Sequence, residues 1–79
     1  SVSPNPTEGL TNVIIRSDKS SVALLKLVDV LGNTVMIKNV TTIPGENYYP
    51  LDLSKFSKGV YMLTVNTTAE KQTLKVVLK

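Results

Sequence analysis

The chain has 79 residues, nine basic and six acidic, for a formal charge of +3, and contains neither cysteine nor histidine. That length buries one core and removes only about 60–65% of the unfolded chain's surface from water, and no disulfide or thiolate metal site can reinforce it. Without histidine the commonest base and metal ligand near neutral pH is gone. The charges are scattered, and Phe56, Tyr48, Tyr49 and Tyr61 are the only aromatics, which is not a nucleic-acid footprint.

The amino-terminal stretch Ser1-Val2-Ser3-Pro4-Asn5-Pro6-Thr7-Glu8-Gly9 reads as a stiff entry into the domain. Pro4 and Pro6 lack backbone donors and bias the residues before them toward extended geometry, and Glu8-Gly9 closes the segment with a turn. Leu10 to Arg16 follows as a strand, with Val13 and Ile15 on one face and Asn12 and Ile14 on the other. Ser17 to Ser21 has loop chemistry.

Val22 to Val30 forms the second strand, with Ala23, Leu25 and Leu27 opposing Val22, Leu24, Lys26 and Val28. Helix propensity in Ala23-Leu24-Leu25-Lys26-Leu27 is outweighed by the flanking β-branched residues and by the turn that follows. That turn, Asp29-Val30-Leu31-Gly32-Asn33, places Asp and Gly at the first and fourth positions favoured in type I turns, with Gly32 free to take positive φ. Thr34 to Val40 returns as a strand, Val35 and Ile37 alternating against Met36 and Lys38. Pro44-Gly45 breaks the chain. Pro50, inside the next strand from Asn47 to Leu53, demotes that strand to an edge or a bulge.

Leu51 to Val65 organises the rest. Leu51 and Leu53 alternate with Asp52, Phe56 drops back onto the core from a loop, and Gly59 supplies a backbone conformation or a close approach. Tyr61, Leu63 and Val65 share one face of the following strand and Val60, Met62 and Thr64 the other, as in a central strand. After a polar connection, Lys71 to Lys79 is the last strand, with Leu74, Val76 and Leu78 opposing Lys75, Val77 and Lys79.

Six strands, or seven if the Pro-bounded start pairs, with short connections and no convincing helix, predict an all-β, mainly antiparallel two-layer sandwich. Leu25, Leu27, Val35, Leu53, Tyr61, Leu63 and Val65 are the expected core. No stretch reaches the ~20 apolar residues that span a bilayer, and no signal peptide opens the chain. Residues 1–79 therefore read as one domain cut from a longer chain, whose export signal, if the parent is exported, lies outside these residues; the domain is not transmembrane and has no nucleic-acid partner.

Little here carries chemistry. Glu8, Asp18, Asp29, Glu46, Asp52 and Glu70 fall mostly in turns and at strand ends, and no spacing demands a catalytic carboxylate pair. No histidine activates a serine or threonine. Asn39-Val40-Thr41 and Asn66-Thr67-Thr68 match the short glycosylation pattern. Neither catalysis nor a cofactor or metal is expected.

The order of elements says more. Pro4-Asn5-Pro6-Thr7-Glu8-Gly9, then Leu27 to Val35 around Asp29–Gly32, then Leu51-Asp52-Leu53-Ser54 leading to Lys58-Gly59-Val60-Tyr61-Met62-Leu63-Thr64-Val65, then Lys75-Val76-Val77-Leu78-Lys79, together resemble the type A C-terminal sorting domain of the type IX (Por) secretion system. The resemblance covers essentially the whole chain. It implies an immunoglobulin-like β-sandwich at the carboxyl end of a protein exported by Bacteroidetes-type bacteria. The cargo covalently linked to it passes through the periplasm. The folded domain is then recognised by the outer-membrane translocon and its shuttle, and the cargo reaches the outer-membrane surface or the medium. A sortase-like surface peptidase cleaves near the start of the domain in many members and joins the cargo to an anionic lipopolysaccharide.

Carried over motif by motif, Pro4, Asn5 and Pro6, with Gly9 closing the entry, are the peptidase-proximal segment. Asp29, Gly32, Gly59, Val60, Tyr61 and Lys75, Val76, Val77, Leu78 and Lys79 are recognition and fold elements. Val28 departs from the pattern, since an aromatic residue often precedes the Asp. The competing reading is an immunoglobulin- or fibronectin-like spacer or carbohydrate-binding module of an extracellular enzyme, for which Tyr48-Tyr49 could begin an aromatic platform.

Overall fold

Seven strands carry the chain: β1 (Val2–Ser3), β2 (Leu10–Ser17), β3 (Ser21–Val28), β4 (Thr34–Thr42), β5 (Gly45–Asp52), β6 (Gly59–Asn66) and β7 (Lys71–Leu78). The computed structural model describes residues 1–68 and 70–79, and among them there is no helix. The strands form a three-stranded sheet in the order β1-β2-β5 and a four-stranded sheet in the order β4-β3-β6-β7, with every strand pair antiparallel. The chain changes sheet between β2 and β3, between β4 and β5, and between β5 and β6. The result is an all-β, immunoglobulin-like sandwich.

Period-two alternation places the core between the sheets. Ala23, Leu25 and Leu27 of β3 and Leu63 of β6 are completely buried, as are Val13 of β2, Leu53 and Val76 of β7, each 0% exposed. Leu25 pairs directly with Val65 and Leu27 with Leu63, so the central pair of the larger sheet is a ladder of apolar contacts. Burying one such side chain contributes roughly 1.5–3 kcal/mol. Phe56 packs onto this core from its loop, its ring centroid 6.2 Å from that of Tyr61.

Three expectations need correction. Val35 is only half-buried and packs against the core without belonging to it, and Ile37 is 59% exposed. The register explains both: Leu27 faces Met36 but Val28 faces Thr34, so Val35 is the extra residue of a β-bulge. From the bulge onward Met36 and Val40 turn inward and Ile37 turns out. Second, β3 ends at Val28, because Asp29 and Val30 are consumed by the turn. Third, the break at Pro44 is narrow: β4 runs to Thr42 and β5 starts at Gly45. Pro50 sits on β5, an edge strand, where its missing donor costs no sheet bond.

Candidate functional site

The entry segment is part of the fold. β1 pairs with β2 in the smaller sheet, Val2 opposite Val13. The chain then crosses to the larger sheet, with cis peptide bonds before Pro4 and Pro6, and Thr7 forms a parallel bridge to Leu78. Thr7 N–H donates to the Val77 carbonyl at 2.8 Å and Lys79 N–H donates to the Thr7 carbonyl at 2.9 Å.

Two residues earlier, Asn5 continues the ladder with its side chain. Its Nδ2 donates to the Lys75 carbonyl at 2.7 Å, and its Oδ1 accepts from Val77 N–H at 2.9 Å. The outer backbone edge of β7 from Lys75 to Lys79 is thus occupied by the entry segment. Pro4 is fixed as well, its carbonyl accepting from the Thr11 hydroxyl at 2.7 Å. The Gly9 carbonyl accepts from Leu53 N–H at 2.7 Å, which fastens the end of the entry to the far end of β5. Pro4, Asn5 and Pro6 remain exposed to solvent.

On its other side β7 pairs with β6, Gly59 opposite Leu78, Val60 opposite Val77 and Tyr61 opposite Val76. Val76 and Leu78 are buried, Val77 is half-buried on the outer face, and Lys75 and Lys79 are exposed. At Gly59, φ is 154° and no atom lies within 4 Å of where a Cβ would stand, so its role is conformational and no close approach is involved. The Tyr61 ring lies in the core while its hydroxyl donates to the Ser57 carbonyl, closing the loop before β6.

That loop faces the β3–β4 turn across a shallow cleft lined by Asp29, Leu31, Lys55, Phe56 and Val60. Gly32 N–H donates to the Asp29 carbonyl at 3.1 Å, the i to i+3 bond of the expected turn. Asp29 Oδ1 accepts from Leu31 N–H and Asn33 N–H, both at 2.9 Å. Gly32 takes φ of 87°, which a Cβ would disfavour. The four motifs recognised in the sequence therefore lie side by side at one end of the sandwich: entry, β7, the start of β6, and the Asp29 turn.

A family model described as the secretion system C-terminal sorting domain matches residues 1–79. This chain belongs to that family, the type IX secretion C-terminal sorting domains. Neither a curated protein nor a solved structure matches it. The family is one of sorting signals and not a catalytic one, and such a signal implies export across the outer membrane to the surface or the extracellular space.

Within the sorting domain, Tyr48 and Tyr49 do not make a platform. They alternate across β5: Tyr48 is 59% exposed, with its hydroxyl donating to Glu46 Oε1 at 2.7 Å, whereas Tyr49 is half-buried, with its hydroxyl donating to the Thr41 carbonyl at 2.9 Å. The hydrogen bond to Glu46 and its charge raise the Tyr48 pKa above the usual phenol value, and burial raises that of Tyr49. Asp52 is held below the usual carboxylate range by the Ser54 hydroxyl, at 2.6 Å, and by Ser54 N–H, at 3.0 Å. No helix among the described residues is long and apolar enough to cross a membrane.

Sequence reasoning passed over Thr7, 1% exposed, whose hydroxyl donates to the Leu10 carbonyl at 2.7 Å and accepts from Gly9 N–H at 3.1 Å. It also passed over Asn47, 7% exposed, whose Oδ1 accepts from Ile43 N–H at 2.9 Å while its Nδ2 donates to the carbonyls of Ile15, Ile43 and Gly45. Alternation with Tyr49 and Leu51 placed Asn47 on the inward face. Thr7, between Pro6 and Glu8-Gly9, carried only the signature of a polar turn.

Proposed function

We propose that this domain directs a covalently linked cargo from the periplasm through the type IX outer-membrane translocon, with the translocon and its shuttle recognising the folded sandwich end. Family membership and the contiguity of the four motifs support this reading. The motifs are far apart in sequence but form one surface, so a receptor can engage them together only when the sandwich is folded. In the same reading a sortase-like peptidase acts on the polypeptide leading into Pro4-Asn5-Pro6. That segment is itself fastened to β7, while a protease binds extended, unpaired backbone.

Strand addition at an open sheet edge is one mode by which such a domain docks. Between Lys75 and Lys79 it requires the entry segment to detach, since Asn5 and Thr7 hold those backbone groups. The test is localisation of a reporter carrying an inner-membrane signal peptide and fused to residues 1–79. Deleting Lys75 to Lys79 strips Val76 and Leu78 from the core together with the partners of Asn5 and Thr7, and should leave the reporter periplasmic. Lys75→Ala with Lys79→Ala keeps the apolar face. Reduced export of that folded variant, checked by circular dichroism, indicates direct reading of the lysines, and unchanged export indicates that the segment acts by holding the fold. Surface display of the deletion variant at the parent level would sink the proposal.

A further inference from the structure

The sandwich opens at the end that holds Ser17 and Lys71. Along the inward face of β7 burial falls away in steps: Val76 is 0% exposed, Leu74 is half-buried and Gln72 is exposed. On β2 the inward residues do the same, from Val13, completely buried, to Ile15, half-buried. The cause is the shortness of β1, which follows β2 only as far as Ser1. There the Ser1 amino group donates to the Ile14 carbonyl at 2.9 Å, and the Ser1 carbonyl accepts from Ile14 N–H at 2.8 Å.

Past Ile14, β2 runs on through Ile15, Arg16 and Ser17 with β5 beside it on one side only. Antiparallel pairing turns the N–H and carbonyl of every second residue toward the same neighbour. Arg16 therefore aims its backbone groups to the side of β1, beyond Ser1, and among the described residues no hydrogen bond meets them. A cavity of about 560 Å³ opens between the sheets at this place, with Ser1, Ile15, Ser17, Thr42, Val65 and Gln72 in its wall.

We infer that this end of the sandwich is a clasp for the polypeptide that joins a cargo to Ser1, which continues β1 along β2 past Ile15, Arg16 and Ser17. Continuity with the existing pairing selects the occupant. The register that sets Ser3 opposite Asn12 and Val2 opposite Val13 places the residue before Ser1 opposite Ile15, the second opposite Arg16 and the third opposite Ser17. Directly opposed residues share a face, and Val13 faces inward. The first and third residues before Ser1 thus point into the cavity, where an apolar or β-branched side chain at the first covers Ile15 and Val65. The second exchanges both backbone bonds with Arg16 and turns its side chain to solvent. A polar small ligand is a poorer fit, because no buried polar side-chain atom among the described residues lacks a partner. The Thr42 hydroxyl in the wall is already engaged with Ser17, Lys19 and Ser21. The inference rests on the reading of a cargo joined at the amino end and adds how that junction is held. Backbone next to Ser1 is paired, so a peptidase that needs exposed, extended chain acts upstream of the clasp.

The experiment uses two purified fusions of the reporter to residues 1–79. In one the linker ends in threonine, threonine and valine before Ser1, and in the other in threonine, proline and valine. The proline sets its ring where an N–H should meet the Arg16 carbonyl. Amide exchange at Arg16, read by NMR, should be at least roughly tenfold slower with the threonine linker. The Val13 and Leu63 amides, inside the sheets, should exchange alike in both and report an intact fold. Aspartate in place of the valine directly before Ser1 buries a charge and should lower the urea midpoint. Aspartate one residue earlier faces solvent and should leave the midpoint unchanged.

Equal Arg16 exchange with both linkers, the fold intact, overturns the clasp. Slowed exchange at Thr73, which turns its N–H to the outer edge of β7 as Val77 does, puts the linker on the larger sheet and overturns it as well. Equal midpoints for the two aspartate positions contradict the inward face assigned to the residue before Ser1. None of these readouts involves export: an overturned clasp leaves the sorting reading intact, and a folded fusion that stays periplasmic overturns sorting without changing the exchange result.

Discussion

Asn5 stands against Val77 as a strand residue would, but it uses its side chain: its Oδ1 accepts from Val77 N–H at 2.9 Å, and its Nδ2 reaches the Lys75 carbonyl at 2.7 Å. A side-chain amide has one acceptor and two donors, so it copies the peptide group that a neighbouring strand would present. Thr7 then takes over with its own backbone. The entry thus closes the β7 edge that would otherwise be open.

Asn5→Ala removes both bonds and should cost about 1–2 kcal/mol, the sum for two modest hydrogen bonds. Urea unfolding monitored by circular dichroism measures this. Asn5→Asp keeps the acceptor for Val77 N–H but sets a carboxylate oxygen against the Lys75 carbonyl, so its loss should be no smaller than that of Asn5→Ala. No change in either variant would mean that the amide bonds only fleetingly.

Leu63 and Ile37 test the phase of the larger sheet. Leu63→Ala should cost about 2–5 kcal/mol, as for other buried leucine truncations. Ile37→Ala should stay within about 0.5 kcal/mol, the ordinary range for surface sites. The same urea titrations read both, and equal costs would contradict the bulge at Val35.

Asn47→Ala leaves the carbonyls of Ile15 and Ile43 and the N–H of Ile43 without their partner. The penalty should be about 1–3 kcal/mol, because these partly buried groups lose their partner and water replaces it only in part. A melting midpoint equal to that of the parent would show the β4–β5 turn to be indifferent to Asn47.

Asp52 fixes a pH dependence. Its carboxyl titrates lower in the folded chain than in the unfolded one, where a free aspartate titrates near 3.8. The stabilisation is therefore complete above that value and is lost as pH falls through the lower folded pKa. Urea midpoints should fall on acidification from about pH 4 downward, and Asp52→Asn should flatten that part of the profile. An equally steep profile in the variant would place the dependence on other carboxylates.

Much of this was legible because burial in a two-layer sandwich imposes period two. Ala23, Leu25 and Leu27 and then Tyr61, Leu63 and Val65 declare their inward faces by alternation alone, and all six are buried. Val35 and Ile37 did not, because a bulge adds one residue without changing local composition and reverses every face after it. The motifs were readable as separate strings, but their contiguity was not. The bonds from Asn5 to Lys75 and Val77 span most of the chain, and a polar residue between prolines looks alike whether it meets water or a sheet edge.

The most direct test of sorting compares the reporter fused to residues 1–79 in a type IX-competent cell and in the same cell lacking the translocon. Protease accessibility on intact cells is the readout. The reporter should be digested from outside in the competent cell and protected in the periplasm of the deficient one. A folded fusion equally protected in both would contradict the account.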